Sequence, residues 1–199
     1  MNFEDFQNQI RNCKYCKEVL KLNFEPKPLV WGNQNARIVQ ISQAPSLHAS
    51  TCGKPFSIDN DKPDASGKQL LKWYDIPKEI FYNPDYFYIT AIAHCFPGKS
   101  KRGDAAPPIE CAKLWLRKEL SYLNPKIFLI LGKYAANFVY PGKDFTELVF
   151  TNQTLLNKPA FVLPHPSPAN KKWLKDHPEF KRNRLKDIRD AIHNAIELV

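Results

Sequence analysis

Four apolar runs of strand length mark out this chain: residues 37–41 (RIVQI), 87–92 (FYITAI), 126–131 (KIFLIL) and 160–163 (AFVL). Each is rich in β-branched or aromatic residues and almost continuously apolar, the pattern of strands buried on both faces. Between and around them lie stretches with the apolar spacing of helices, at 2–11, 66–74, 108–123, 133–139 and about 182–198. Pro107-Pro108 marks the start of the third, because proline is tolerated in a first helical turn. Strands alternating with helices predict a doubly wound, three-layer α/β/α sandwich about a central, mainly parallel four-stranded sheet. No repeat, low-complexity tract or linker interrupts the pattern, so residues 1–199 read as one domain.

In an open α/β sheet, ligands bind beyond the carboxyl ends of the strands. The residues just after the four runs are therefore the candidates for chemistry. They are Ser42-Gln43-Ala44-Pro45-Ser46 with the following Gly53-Lys54-Pro55-Phe56, then Ala93-His94-Cys95-Phe96-Pro97, and then Pro164-His165-Pro166-Ser167-Pro168. The set is polar, stiffened by proline, and offers a histidine and an aromatic ring.

Charge changes the picture next. Lys and Arg number 29 against 20 Asp and Glu, a formal net charge of +9, which favours a polyanionic partner such as nucleic acid. The cations concentrate at Lys99, Lys101 and Arg102, and again from Lys171 and Lys172 through Lys175, Lys181, Arg182, Arg184, Lys186 and Arg189. Acidic residues share the second region, so part of it reads as a solvated helix face. No uncharged stretch approaches the roughly 20 residues of a membrane span, and no apolar leader opens the chain. The reading is a cytoplasmic, monomeric protein without membrane contact, whose thiols stay reduced.

In such a compartment the cysteines read as ligands. Cys13 and Cys16 form a C-x-x-C, while Cys95 and Cys111 flank a basic, proline-rich loop; Cys52 has no evident partner. Four thiolates closing the N-terminus onto mid-chain segments suit either tetrahedral zinc or an iron–sulfur cluster. A thiol redox role for Cys13 and Cys16 would place C-x-x-C at a helix start after a strand, whereas here it follows a polar helix candidate.

In order along the chain, these segments resemble the uracil-DNA glycosylase superfamily, in particular its iron–sulfur family 4 class and smaller bacterial relatives. Ser42-Gln43-Ala44-Pro45-Ser46 is similar to the family's Gly-Glu-Ala-Pro-Gly, Gly53-Lys54-Pro55-Phe56 to its Gly-x-Pro-Phe, and His165-Pro166-Ser167-Pro168 to its second motif. Cys13, Cys16, Cys95 and Cys111 reproduce the order of the family's cluster ligands, so the resemblance implies a [4Fe-4S] cluster, with zinc as the alternative. It further implies hydrolysis of the N-glycosidic bond of uracil, or another deaminated base, flipped out of DNA. Phe56 would stack on the flipped base beside Ala44 and Pro45, and His165 would stabilise the departing base anion. Ser167 would grip a phosphate, with Lys171, Lys172, Lys99, Lys101 and Arg102 supplying sequence-independent DNA affinity.

The departures from the family pattern are equally specific. Gln43 replaces the family's glutamate and would position water or contact the base; Thr90-Ala91 replaces the Thr-Asn that reads uracil. An apparent insertion at 57–63 precedes Asp64, the candidate to replace the missing carboxylate, with Asp59 and Asp61 as spares. The plainer reading of Asp64 is a helix N-cap. Loss of the carboxylate also opens the alternative of a non-catalytic module binding damaged or single-stranded DNA.

Overall fold

The computed structural model describes residues 2–59, 62–101 and 103–197. Asn2 starts α1 (Phe3–Arg11) by accepting the Asp5 amide at 2.8 Å, which turns Phe3, Phe6 and Ile10 inward. A single turn, α2 (Tyr15–Glu18), is followed by β1 (Ile38–Ser42), α3 (Leu47–Cys52), α4 (Ala65–Tyr74), α5 (Lys78–Phe81) and β2 (Phe87–Ala91). A small hairpin of β3 (Lys99–Ser100) and β4 (Gly103–Asp104) leads into one helical rod: α6 (Ile109–Cys111), a π turn (Ala112–Leu116) and α7 (Arg117–Ser121). Then come β5 (Ile127–Leu131), α8 (Gly132–Val139), α9 (Phe145–Phe150), β6 (Gln153–Leu155) and β7 (Lys158–Leu163). A 3-10 turn (Pro168–Asn170), α10 (Lys171–Asp176), a second π turn (Phe180–Arg184) and α11 (Leu185–Ile196) complete the described chain.

The expected parallel strands are present, in the order β2-β1-β5-β7, and β1, β2 and β5 are buried throughout. The sheet has five strands rather than four, because β6 adds antiparallel to the outer edge of β7. Its two-residue turn is Leu156-Asn157, both left-handed at φ 49° and 61°. Such turns usually announce themselves as Asn-Gly or Asp-Gly, so a leucine in that conformation hid the hairpin. On the far side, Trp31 forms an isolated antiparallel bridge with Ile89 of β2.

From β1 the chain steps outward to β2, then returns to the other side of β1 for β5 and β7. The winding reverses beside β1, and such a switch point opens a crevice at the strand ends. Helices α4 and α11 pack on each other against the sheet: Arg189 donates to the carbonyls of Trp73 (2.8 Å) and Lys72 (2.9 Å) at the end of α4. Arg184, 6% exposed, donates to Val149 O and Thr151 O and to Asn152 Oδ1. Two cations of the C-terminal concentration are therefore structural. At the other end of the rod, the Phe6 ring of α1 lies 5.8 Å from Trp115 and 5.0 Å from Tyr122. No helix among the described residues is long and apolar enough to cross a membrane.

The rod also buries a charge. Glu119, 0% exposed, accepts hydrogen bonds from Tyr88 (2.7 Å) and Thr90 (2.7 Å) and lies 3.2 Å from His94 Nε2. Burial alone would push Glu119 up, but the His94 charge and these donors outweigh it and hold the carboxyl below its usual range. Burial disfavours the His94 imidazolium too, yet Glu119 and the Cys111 sulfur reverse this and lift it to about 10. In a regular helix, residues eight apart sit about 80° out of register. The wider π turn between Cys111 and Glu119 reduces that angle, so both side chains meet His94.

Removing one partner of a buried pair strands the other, so Glu119→Ala is expected to lower stability by about 3–5 kcal/mol in urea unfolding. Because the folded His94 titrates above its free value, its share is complete below pH 6.5 and fades as pH rises through about 10. The Glu119 share fades instead in acid, so the wild-type advantage over Glu119→Ala should be largest near neutrality.

Candidate active site

One cleft of about 540 Å³ opens at the carboxyl ends of the strands, within the size range of small-molecule sites. Ser42 through Ser46 leave β1 into it, Pro55 and Phe56 form one wall, and His165, Ser167 and Asn170 form another. Thr90, Ala91 and His94 line it from β2 and the turn beyond, and Gly103 and Asp104 from the hairpin. The motifs read separately along the chain thus share one cavity.

His165 is the most determined group there. Its Nδ1 accepts the Ser167 amide at 3.2 Å, which leaves the ring proton on Nε2. Burial holds the imidazole below its usual pKa, against the opposing charges of Asp64 and Asp104, so near neutrality the ring is an uncharged N–H donor. Gly132, at φ 81°, packs beneath it, and a Cβ there would come within 3.1 Å of the ring. Asn170 Nδ2 donates to the His165 carbonyl at 3.1 Å, closing the loop from behind.

Phe56 also has an enforced geometry. Its φ of 54° is uncommon for an aromatic residue and costs roughly 1–3 kcal/mol, which neighbours must offset. The Phe56 carbonyl accepts the Asp64 amide (2.8 Å) and the Tyr82 hydroxyl (3.1 Å), and Gly67 sits so close that a Cβ would lie 2.5 Å from that oxygen. The ring is half-buried, 6.1 Å from Phe81, and lines the cleft with its remaining surface. Both readings of this residue, core and cleft wall, describe part of it.

Asp64 is the N-cap of α4: its Oδ1 accepts the Gly67 amide at 2.7 Å, and the residue also lines the cleft. The insertion before it closes on itself through Ile58 N to Lys62 O (2.9 Å) and Lys62 N to Asp59 Oδ1 (2.9 Å), which keeps Asp59 out of the cleft lining. Asp61 and Arg102 lie outside the described residues. Ser46 occupies a motif glycine's place because it caps α3, accepting the Ala49 amide at 3.2 Å. Gln43 and Ala44 line the cleft, with the Gln43 carbonyl pinned by the Ala93 amide at 3.1 Å. Lys99 and Lys101 ride on the hairpin, and Lys171 and Lys172 follow Asn170, so exposed cations lie on segments at two edges of the cleft. Ser167 turns its hydroxyl to its own loop, accepting the Ala169 amide.

Cys13, Cys16, Cys95 and Cys111 line a second, small cavity with Trp115, whose indole N–H donates to Cys13 Sγ at 3.3 Å. All four are free thiols. Burial and the neighbouring sulfurs push Cys16 up to about 11 and Cys95 to about 12. Among the described residues, no group of three or more His, Cys, Asp or Glu is drawn in tightly enough to hold a metal ion. His94, part of the strand-end set read from the sequence, lines both cavities, whereas Glu119 and Asp104 are the nearby residues that sequence reasoning passed over. A histidine beside a cysteine was visible, but the π turn that aims Glu119 inward was not.

The family described as "Uracil DNA glycosylase superfamily" matches residues 29–189. The chain belongs to this superfamily. Among its relatives, a protein named type-5 uracil-DNA glycosylase from Pyrobaculum aerophilum is 26% identical over 84% of either chain. Type-4 uracil-DNA glycosylases from Archaeoglobus fulgidus and Saccharolobus solfataricus are 26% and 23% identical, covering 75% and 70% of this chain and 68% and 59% of their own lengths. The family match begins after Cys13 and Cys16 and takes in every cleft-lining segment.

Because Asp64 caps a helix, Asp64→Ala should cost about 1 kcal/mol of stability, while Asp64→Asn, an equally good cap, should cost a few tenths. Urea titrations of the two variants measure the difference.

Proposed function

We propose that this chain is a DNA repair glycosylase that hydrolyses the N-glycosidic bond of uracil or another deaminated base extruded from DNA. The observation that carries this reading is His165: a partly buried neutral imidazole, its proton fixed on Nε2, in one cleft with Phe56. As the glycosidic bond breaks, its electron pair passes to the base, and an exocyclic oxygen becomes the seat of negative charge. A preorganised, uncharged donor at that oxygen stabilises the transition state without a charge to desolvate first. Phe56, held rigid by its own backbone, offers the stacking face that a flipped base needs. Gln43 has a side-chain amide available to orient water or the base, and Ala44 and Pro45 complete the floor. Lys99, Lys101, Lys171 and Lys172 would hold the DNA backbone beside the cleft.

Four thiols lining one cavity are a donor set of the kind a [4Fe-4S] cluster takes. Bound there, the cluster would fasten α1 and the loop from Cys95 to Cys111 to the domain. Thiolate ligation suits zinc as well, which stands as the alternative. The non-catalytic alternative draws no support from the three relatives, all named as glycosylases.

Incubation with oligonucleotides carrying uracil, hypoxanthine or xanthine should yield alkali-labile abasic sites from at least one of them. His165→Leu should then lower the cleavage rate roughly 10²- to 10³-fold, the usual effect of removing one transition-state donor. Iron and acid-labile sulfide should accompany the purified protein, and Cys13→Ala should lose both iron and thermal stability. Tight, salt-dependent DNA binding without product from any base would return the reading to a binding module.

A further inference from the structure

Tyr82 is a buried side chain outside every motif, at the end of α5 and 26 residues beyond Phe56. Its hydroxyl donates to the Phe56 carbonyl (3.1 Å) and lies 3.1 Å from the hydroxyl of Ser57, which is fully buried. The Ser57 hydroxyl is in turn shared between Tyr82 and the Pro55 carbonyl (3.2 Å). We propose, resting on the glycosylase reading, that Tyr82 and Ser57 are positioning residues: their paired hydroxyls set the two peptide groups that flank Phe56, and so preset its ring to receive an extruded base.

A residue's backbone conformation is the relative orientation of the rigid peptides on either side of it. At Phe56 those peptides carry the Pro55 and Phe56 carbonyls, and the hydroxyl pair reaches both. With φ at 54°, a value that residues bearing a side chain rarely adopt, Phe56 would gain from turning either peptide. The Asp64 amide holds the same Phe56 carbonyl from the far end of the 57–63 segment, whose ends are joined by a bridge between Ser57 and Pro63. The base of that insertion is thus a clamp on the backbone of the stacking residue.

Tyr82 suits this task chemically. Burial pushes its hydroxyl up to about 12, so it keeps its proton and remains a donor across the neutral range. Its ring has contacts of its own, with Phe81 at 5.0 Å, Trp31 at 6.3 Å and the Lys54 ammonium 4.3 Å over its face. None of these uses the hydroxyl, which is left to hold the backbone of Phe56.

The clamp matters because an extruded base gives up the stacking of its neighbours in the duplex. A ring already turned toward the cleft offsets that loss, whereas one that must first be ordered offsets less of it. Phe56 and His165 line the same cleft, so a displaced ring would also shift the base against the Nε2 donor.

The competing explanation is that the hydroxyl pair only stabilises the fold. A double-mutant cycle, read as single-turnover cleavage of an oligonucleotide carrying whichever base the wild type releases, separates the two. Under the proposal, Tyr82→Phe keeps the ring, loses the donor and cleaves roughly tenfold more slowly at saturating protein, while affinity for undamaged DNA is unchanged. Phe56→Ala lowers the rate roughly 5- to 150-fold, the loss of one base–aromatic stack. In that background Tyr82→Phe adds less than about twofold, because no ring is left to aim. Ser57→Ala follows the same pattern, and answers the question should Tyr82→Phe fail to fold. An active wild type whose Tyr82→Phe variant cleaves within about twofold overturns the assignment and leaves the glycosylase reading intact, and so does a loss that persists undiminished beside Phe56→Ala. A wild type that releases no base overturns both.

Discussion

Glu119 carries a full charge with no access to solvent, and the structure around it is arranged to make that tolerable. His94, Thr90 and Tyr88 turn their hydrogens toward its two oxygens, tying the helical rod to β2 and to the turn beyond it. An unpaired carboxylate at this depth would cost several kcal/mol, so β2, the rod and the His94 turn must keep their relative positions. The consequences spread in two directions. Thr90 and His94 line the cleft, and His94 also contacts the Cys111 sulfur. The shapes of the cleft floor and of the cysteine cavity are tied together by one shared set of hydrogen bonds.

The cleft itself is a case of groups held before any ligand arrives. His165 has its tautomer set by a backbone amide, and Phe56 is locked at a positive φ by three neighbours. Little of this rests on long flexible side chains. Rigid placement is what transition-state stabilisation requires, since a donor that must reorganise loses much of its effect.

Much of this was legible in the residues. The β-branched runs located every parallel strand, because a strand buried on both faces cannot disguise its hydrophobicity, and the strand-end rule brought Gln43, Phe56 and His165 to one place before any coordinates did. What escaped had a physical cause in each case. β6 is three residues long and turns through Leu156, which carries no turn signal. Glu119 is displaced by a π turn that 3.6-residue periodicity cannot anticipate. Asp104 looked like one more charge in a basic loop, since nothing in its neighbours says that the loop folds back over the strand ends. Arg184 and Arg189 counted as surface cations until their carbonyl partners appeared.

The margins of the sheet bear on how such a protein survives in a crowded solution. A row of unpaired backbone groups along an outer strand is a template for another chain to join. Here one margin ends in a three-residue strand that turns straight back, and the other has Trp31 bonded across the middle of β2. Neither offers a long run of free backbone groups, which disfavours edge-to-edge pairing with another chain.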